Sequence, residues 1–229
     1  MRELAREYGH LGGLDLLRVM IEDVFPGRIA VTTSFGTESA VLLDLVARVD
    51  PATPVIFLDT GVLFEETLAY RETIRTRLGL TEVRTITPDA ASITTYDPEG
   101  DLWRRDGDLC CHLRKVLPME KALAGFDAWI TGRKRFHGGA RSALPVIEHV
   151  NGRFKINPLA AWTRDRIAAA FRERGLPLHP LAEDGFTSIG CRPCTRRTAP
   201  GEGLRDGRWA GMEKTECGIH DAPWLGQDI

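Results

Sequence analysis

Short β-branched runs alternate with longer stretches of helical apolar spacing along most of the chain, the pattern of a parallel sheet flanked by helices. Ile29-Ala30-Val31-Thr32-Thr33 reads as a buried strand. It enters Ser34-Phe35-Gly36-Thr37-Glu38-Ser39, after which Val41, Leu42, Leu45 and Val46 share one helical face. Pro54 to Leu58 repeats the unit, with Asp59-Thr60-Gly61 at its C-terminal end and a helix predicted over 64–78 that stops near Gly79. Val83 to Ile86 is a third strand, and Asp97-Pro98-Glu99-Gly100 reads as a loop. Val116, Leu117, Met119 and Leu123 then predict a helix that carries Cys110 and Cys111 near its start, despite Pro118. Strands over 127–131 and 153–156 and an amphipathic helix over 164–174 complete the pattern.

Ligands in such sheets bind beyond the carboxyl ends of the strands, where both 34–39 and 59–61 fall. A strand, a loop of small and hydroxyl residues and a helix start are also the elements that receive a phosphate on backbone N–H groups. Ser34, Gly36, Thr37, Glu38, Ser39, Asp59 and Thr60 are therefore candidate nucleotide contacts; a plain helix cap or turn is the bland alternative. The stretch from Gly132 to Arg141 is a glycine-punctuated basic loop. It reads either as a solvated turn or as a guanidinium clamp for phosphate or sulfate, with Arg133 and Arg141 as contacts and Gly132 admitting close approach.

Composition narrows the class. With 229 residues, 43% of them hydrophobic and 27% charged, the chain supports one α/β core and holds no run that approaches a membrane span. A formal net charge of −2 argues against general attraction to nucleic acid. The arginines at 192, 196, 197, 205 and 208 nevertheless gather ahead of Cys217 and mark a local anion site. No apolar signal segment is evident, so a cytoplasmic location is expected.

The five cysteines carry the chemistry. They form an adjacent pair, Cys110 and Cys111, a CxxC pair, Cys191 and Cys194, and the single Cys217. An odd count without a secretory context disfavours disulfides. Four thiolates suit zinc or an iron–sulfur cluster, with buried unligated thiols as a third reading. Two adjacent thiolates are an unusual way to hold one tetrahedral ion, whereas in a cubane each can take a different iron. The fifth thiol is left as a nucleophile.

The combination resembles the assimilatory sulfonucleotide reductases of the PP-loop superfamily. It rests on Ser34 to Ser39, on Leu58-Asp59-Thr60-Gly61 and above all on Lys214-Thr215-Glu216-Cys217-Gly218-Ile219-His220. Cys110-Cys111 with Cys191-Arg192-Pro193-Cys194 resembles the cluster-bearing branch, usually adenylyl-sulfate reductases. The resemblance implies an adenine nucleotide alpha-hydrolase-like fold and a [4Fe-4S] cluster on Cys110, Cys111, Cys191 and Cys194. It also implies adenylyl sulfate (APS) as substrate with AMP released, and thioredoxin or glutaredoxin as electron donor. Cys217 is then the nucleophile, and Lys115, Arg205, Arg208 and His220 are the groups that stabilise the substrate's anions. The loop at 34–39 lacks the lysine of ATP-pyrophosphatase relatives, which argues against ATP use. No residue excludes the 3′-phosphorylated nucleotide (PAPS), and a zinc-stabilised nucleotide-binding regulator is the non-enzyme alternative. Residues 1–200 are expected to form the nucleotide-binding domain and 201–229 a mobile catalytic tail rich in glycine. A homo-oligomer is compatible with the sequence.

Overall fold

The computed structural model describes residues 2–220. Six strands lie in one sheet: β1 (Ile29–Thr33), β2 (Val55–Leu58), β3 (Val83–Ile86), β4 (Ala128–Ile130), β5 (Ile147–Val150) and β6 (Arg153–Ile156), in the order β3-β2-β1-β4-β6-β5. Every neighbouring pair is parallel except β5 with β6. That hairpin, absent from the sequence-based expectation, turns on Asn151 and Gly152, both at positive φ. An Asn-Gly pair between short alternating runs is the usual signal for such a turn. The order reverses at β1, whose neighbours are β2 on one side and β4 on the other. A crevice therefore opens between the loops that leave β1 and β4.

Alternate strand residues face two cores, which is why the strands read as nearly continuous apolar runs. Val31, Val55, Phe57, Ala128 and Ile130 join the larger core with helix Ser39–Ala47 and residues of helices Glu65–Leu78 and Arg164–Arg174. Ala30, Ile56 and Trp129 face the other way, against Met119 and Leu123. This second contact anchors the helical run over 107–122 across the sheet and so places its two thiols. Asp106 caps the run, accepting from the N–H groups of Asp108 and Leu109 at 3.1 and 2.9 Å. Gly107–Cys111 is α-helical, His112–Val116 forms a π turn and Leu117–Ala122 resumes with Pro118 in its first turn. The widened turn accommodates a proline that lacks an N–H to donate.

Residues 97–100, expected as a plain loop, include the buried Asp97. Its carboxylate pairs with Arg114 at 2.6 Å and accepts from the Leu102 N–H at 2.8 Å, and Arg114 in turn donates to the Thr60 carbonyl at 2.7 Å. The thiol-bearing helix is thereby tied to the turn after β2. Segment 201–220 packs back on the preceding turn: Arg196 N–H donates to Gly207 O at 2.8 Å, Trp209 N–H to Cys194 O at 3.0 Å, and Trp209 is buried. The remaining tail, 221–229, lies outside the described residues.

Candidate active site

A crevice of about 230 Å³ opens at the switch point and gathers residues from widely separated stretches of chain. The loop after β1 supplies Ser34, Gly36, Thr37, Glu38 and Ser39; Phe35 between them sits at φ 47° with its ring buried edge-on to Phe57 at 5.3 Å. Burying that ring turns the polar neighbours outward to the rim. Thr60 follows β2, Lys115 comes from the π turn, and Gly132, Arg133, Lys134, His137 and Arg141 follow β4. The tail closes the far side with Arg205, Arg208, Glu216, Cys217 and His220. Asp59 is not among the lining residues: its carboxylate accepts from the Gly61 N–H at 3.0 Å and shapes the turn.

The nitrogen donors at this crevice stand out. Among the described residues, Arg133 Nε, Arg208 Nε, Trp209 Nε1 and His220 Nδ1 are buried without a hydrogen-bond partner, and all four belong to lining residues. Buried donors are nearly always satisfied in native proteins, so a concentration of open ones beside arginines marks a seat for an anionic ligand. Arg208 donates to the Ile189 carbonyl at 3.2 Å and lies 4.4 Å from the Trp209 ring centroid. It occupies space that any Cβ at Gly190 would overlap, so only glycine admits the guanidinium there. Burial, then the nearby Arg141, lowers Arg205 to about 10. Burial and the cations of Arg133, Lys155, Arg141 and Arg205 hold His220 well below the ordinary histidine range. Both effects favour the neutral imidazole of His220.

Glu38 bridges the β1 and β4 loops, accepting from Lys134 at 2.6 Å and lying 3.1 Å from His137 Nε2. Burial alone raises a carboxyl pKa, but the hydrogen bond and charges of His137 and Lys134 outweigh it and bring Glu38 down to about 2. Because the folded-state value is depressed, its contribution to stability is complete above about pH 4.5 and is lost as pH falls towards about 2. Glu38→Gln is expected to destabilise the fold by about 1–2 kcal/mol at neutral pH, because burial lowers Lys134 and His137 at the other end of the same contact and offsets part of the gain. Urea unfolding of both proteins across this range checks it: the two curves should converge on acidification, and a gap that is constant with pH would refute the assignment.

Behind Lys115 lies a second, smaller pocket, lined by Cys110, Cys111, Cys191 and Cys194 with Arg114 and Lys115. Cys191 and Lys115 line both cavities and form the wall between them. The Thr60 hydroxyl contacts Cys191 Sγ at 3.3 Å. Burial first, then neighbouring thiols, pushes Cys110 up to about 12 and Cys111 up to about 11. Burial also presses on Lys115, but Cys191, Cys217 and Cys111 together outweigh it and raise its pKa. Among the described residues, no three histidine, cysteine or acidic side chains are gathered closely enough to hold a single metal ion.

The structure thus brings together in the crevice all the nucleotide candidates except Asp59, and gathers four thiols in one pocket. Sequence reasoning missed Lys134 and His137 as lining residues, the 187–190 loop that faces the β1 loop, Glu216 and the buried Lys155. Their signal is tertiary, because each meets a partner more than 60 positions away or belongs to a segment with no motif of its own. No helix among the described residues is long and apolar enough to cross a membrane.

A mostly parallel sheet with its crevice at the switch point defines an open-sheet α/β protein with a ligand site beyond its strand ends. The profile of the phosphoadenosine phosphosulfate reductase domain matches residues 28–197, and the chain belongs to that family. An adenosine 5′-phosphosulfate reductase of Mesorhizobium japonicum is 49% identical, over 93% of this chain and 84% of the relative. One from a Chelativorans species is 47% identical over 95% and 89%. Among solved structures, a phosphoadenylyl-sulfate reductase from Candida auris in complex with phosphate superposes with a TM-score of 0.72 at 27% identity, covering 85% of this chain and 95% of that one.

Proposed function

We propose that the chain reduces adenylyl sulfate to sulfite and AMP, with a thioredoxin-type dithiol as electron donor. One observation carries the reading: open buried donors and arginines surround a crevice that also holds the thiol of Cys217, with Cys191 buried in its wall. The relatives named above, both adenosine 5′-phosphosulfate reductases, support this substrate over its 3′-phosphorylated form. The Cys217 thiolate attacks the sulfur of the sulfate–AMP anhydride, the S–O bond to AMP breaks, and an S-sulfocysteine results. A donor thiolate then attacks Cys217 Sγ and expels sulfite, and the donor's second thiol resolves the mixed disulfide. The dithiol supplies the two electrons that take sulfur from sulfate to sulfite.

Two anions must meet in the first step, so their repulsion has to be offset. Lys115, Arg205 and Arg208 offer positive charge at the crevice wall, and neutral His220 offers a hydrogen bond. The nucleotide end is assigned to Ser34, Gly36, Thr37, Glu38, Ser39, Thr60, Gly132, Arg133 and Arg141. Asp59 acts through the shape of its turn.

The thiol pocket suits a [4Fe-4S] cluster: four soft ligands from two chain segments converge, with Arg114 and Lys115 beside them to offset anionic charge. Cys110, Cys111, Cys191 and Cys194 would hold it, and it would supply a fixed anionic centre behind Lys115 that joins the 107–122 helix to the 191–194 turn. The proposed electron route runs through thiols alone. Segment 201–229 is assigned the role of a closure that opens to the donor protein, in the cytoplasm, where reduced dithiols are available.

The test is anaerobic sulfite release from adenylyl sulfate and from its 3′-phosphorylated relative, with reduced thioredoxin and protein whose iron content and visible absorbance are measured. Turnover of the first substrate is expected. Preference for the second would keep the chemistry and overturn the substrate; no sulfite from either, with iron present, would overturn the reaction.

A further inference from the structure

We infer that the segment carrying Cys217 is docked from both sides, by Glu216 on Arg141 and by the His220 carbonyl on Lys155, and that these two anchors position the thiol over the crevice. On the N-terminal side, Arg141 donates from Nε and Nη2 to the two oxygens of the Glu216 carboxylate at 2.6 and 2.8 Å. Arg205 adds a hydrogen bond to the Thr215 carbonyl at 3.1 Å and a longer one to Glu216 at 3.4 Å. A two-point guanidinium–carboxylate pair fixes orientation as well as distance. Glu216 is thus spent on the basic loop, and the next residue is the thiol.

On the C-terminal side, Lys155 Nζ donates to the His220 carbonyl at 2.9 Å. Lys155 sits in β6 with no exposed surface, its ammonium 5.1 Å from the Trp129 ring centroid, and the His220 ring stacks on the same tryptophan at 5.6 Å with 11° between planes. Burying an ammonium in a strand is costly unless it meets good acceptors, and the backbone of the tail supplies one. Only Cys217, Gly218 and Ile219 lie between the anchors, with Gly218 at φ 83° forming the turn. Three residues held at both ends leave the thiol little freedom. Glu216 and Lys155 are positioning residues. Their purpose rests on Cys217 as the nucleophile, but the docking does not.

Iodoacetamide labelling of full-length protein under anaerobic conditions, resolved by peptide mass, reads how often the segment undocks. Glu216→Gln is expected to label at Cys217 about tenfold faster than the parent protein, with Cys194 unchanged. Removing an anion also favours the thiolate, so Lys155→Met and Arg141→Gln are measured alongside. Each removes a cation, which by charge alone slows labelling; acceleration in these variants too therefore reports undocking. Should Lys155→Met fail to fold by thermal denaturation, Arg141→Gln carries the comparison. Labelling at Cys217 that speeds up only when the anion is removed, or that rises equally at Cys194, overturns the inference. Sulfite release is assayed separately: inactivity of the parent protein would overturn the proposed reaction and leave the labelling answer standing.

Discussion

Cys217→Ser is expected to lower sulfite release by about 10⁴-fold or more, because a serine hydroxyl is scarcely ionised at neutral pH and is a far weaker nucleophile than a thiolate. The stronger check is the intermediate. Parent protein given adenylyl sulfate without a donor should gain one SO₃ group on the peptide that contains Cys217, and reduced thioredoxin should remove it as sulfite. Cys191 is the rival, since it also lines the crevice, but it is buried against the Thr60 hydroxyl and shares the thiol pocket. A Cys217→Ser protein that still acquires the group would transfer the role to Cys191.

The second large effect is expected at Lys115. Its ammonium is at the wall between the thiol pocket and the crevice, where burial opposes its charge but the neighbouring sulfurs of Cys191, Cys217 and Cys111 raise its pKa. A sulfate approaching a thiolate meets like charge, and at an effective dielectric near 20 a cation about 4 Å away offsets about 4 kcal/mol of it. Lys115→Met should therefore reduce kcat by about 10²- to 10³-fold, with a smaller change in the binding of AMP, which lacks the sulfate. Iron content and visible absorbance distinguish this from collapse of the neighbouring thiol pocket. A loss of less than about tenfold with full iron would remove Lys115 from the chemistry.

Much of the framework was legible because it is local. The β1 run, the helix that follows, the stop at Gly79 and the strands at 83–86 and 153–156 all coincide with elements of the structure. Each is specified by periodicity of two or 3.6 and by a residue type that ends it. The β5 strand escaped because four half-polar residues carry little periodic signal; the Asn-Gly turn beside it was the usable cue. Asp97 was misread for a different reason. Beside a proline and a glycine it looks like a solvated turn residue, and only its partner Arg114, 17 positions on, makes burial tolerable.

Residue types and spacing by themselves determined the α/β class, the crevice at the strand ends, the separation of four thiols from one, and the family resemblance later matched by the domain profile. These follow from short-range chemistry: a strand-loop-helix unit or a pair of neighbouring cysteines carries its meaning within a few residues. Which groups share a wall was decided only by the tertiary structure. It put Lys115 and Cys191 between the two cavities, favoured the neutral form of His220 by burying it among cations, turned Asp59 into a turn residue, and joined Glu216 to Arg141 across 75 positions. Burial, field and salt-bridge partner are properties of the whole packed chain, and no local pattern encodes them.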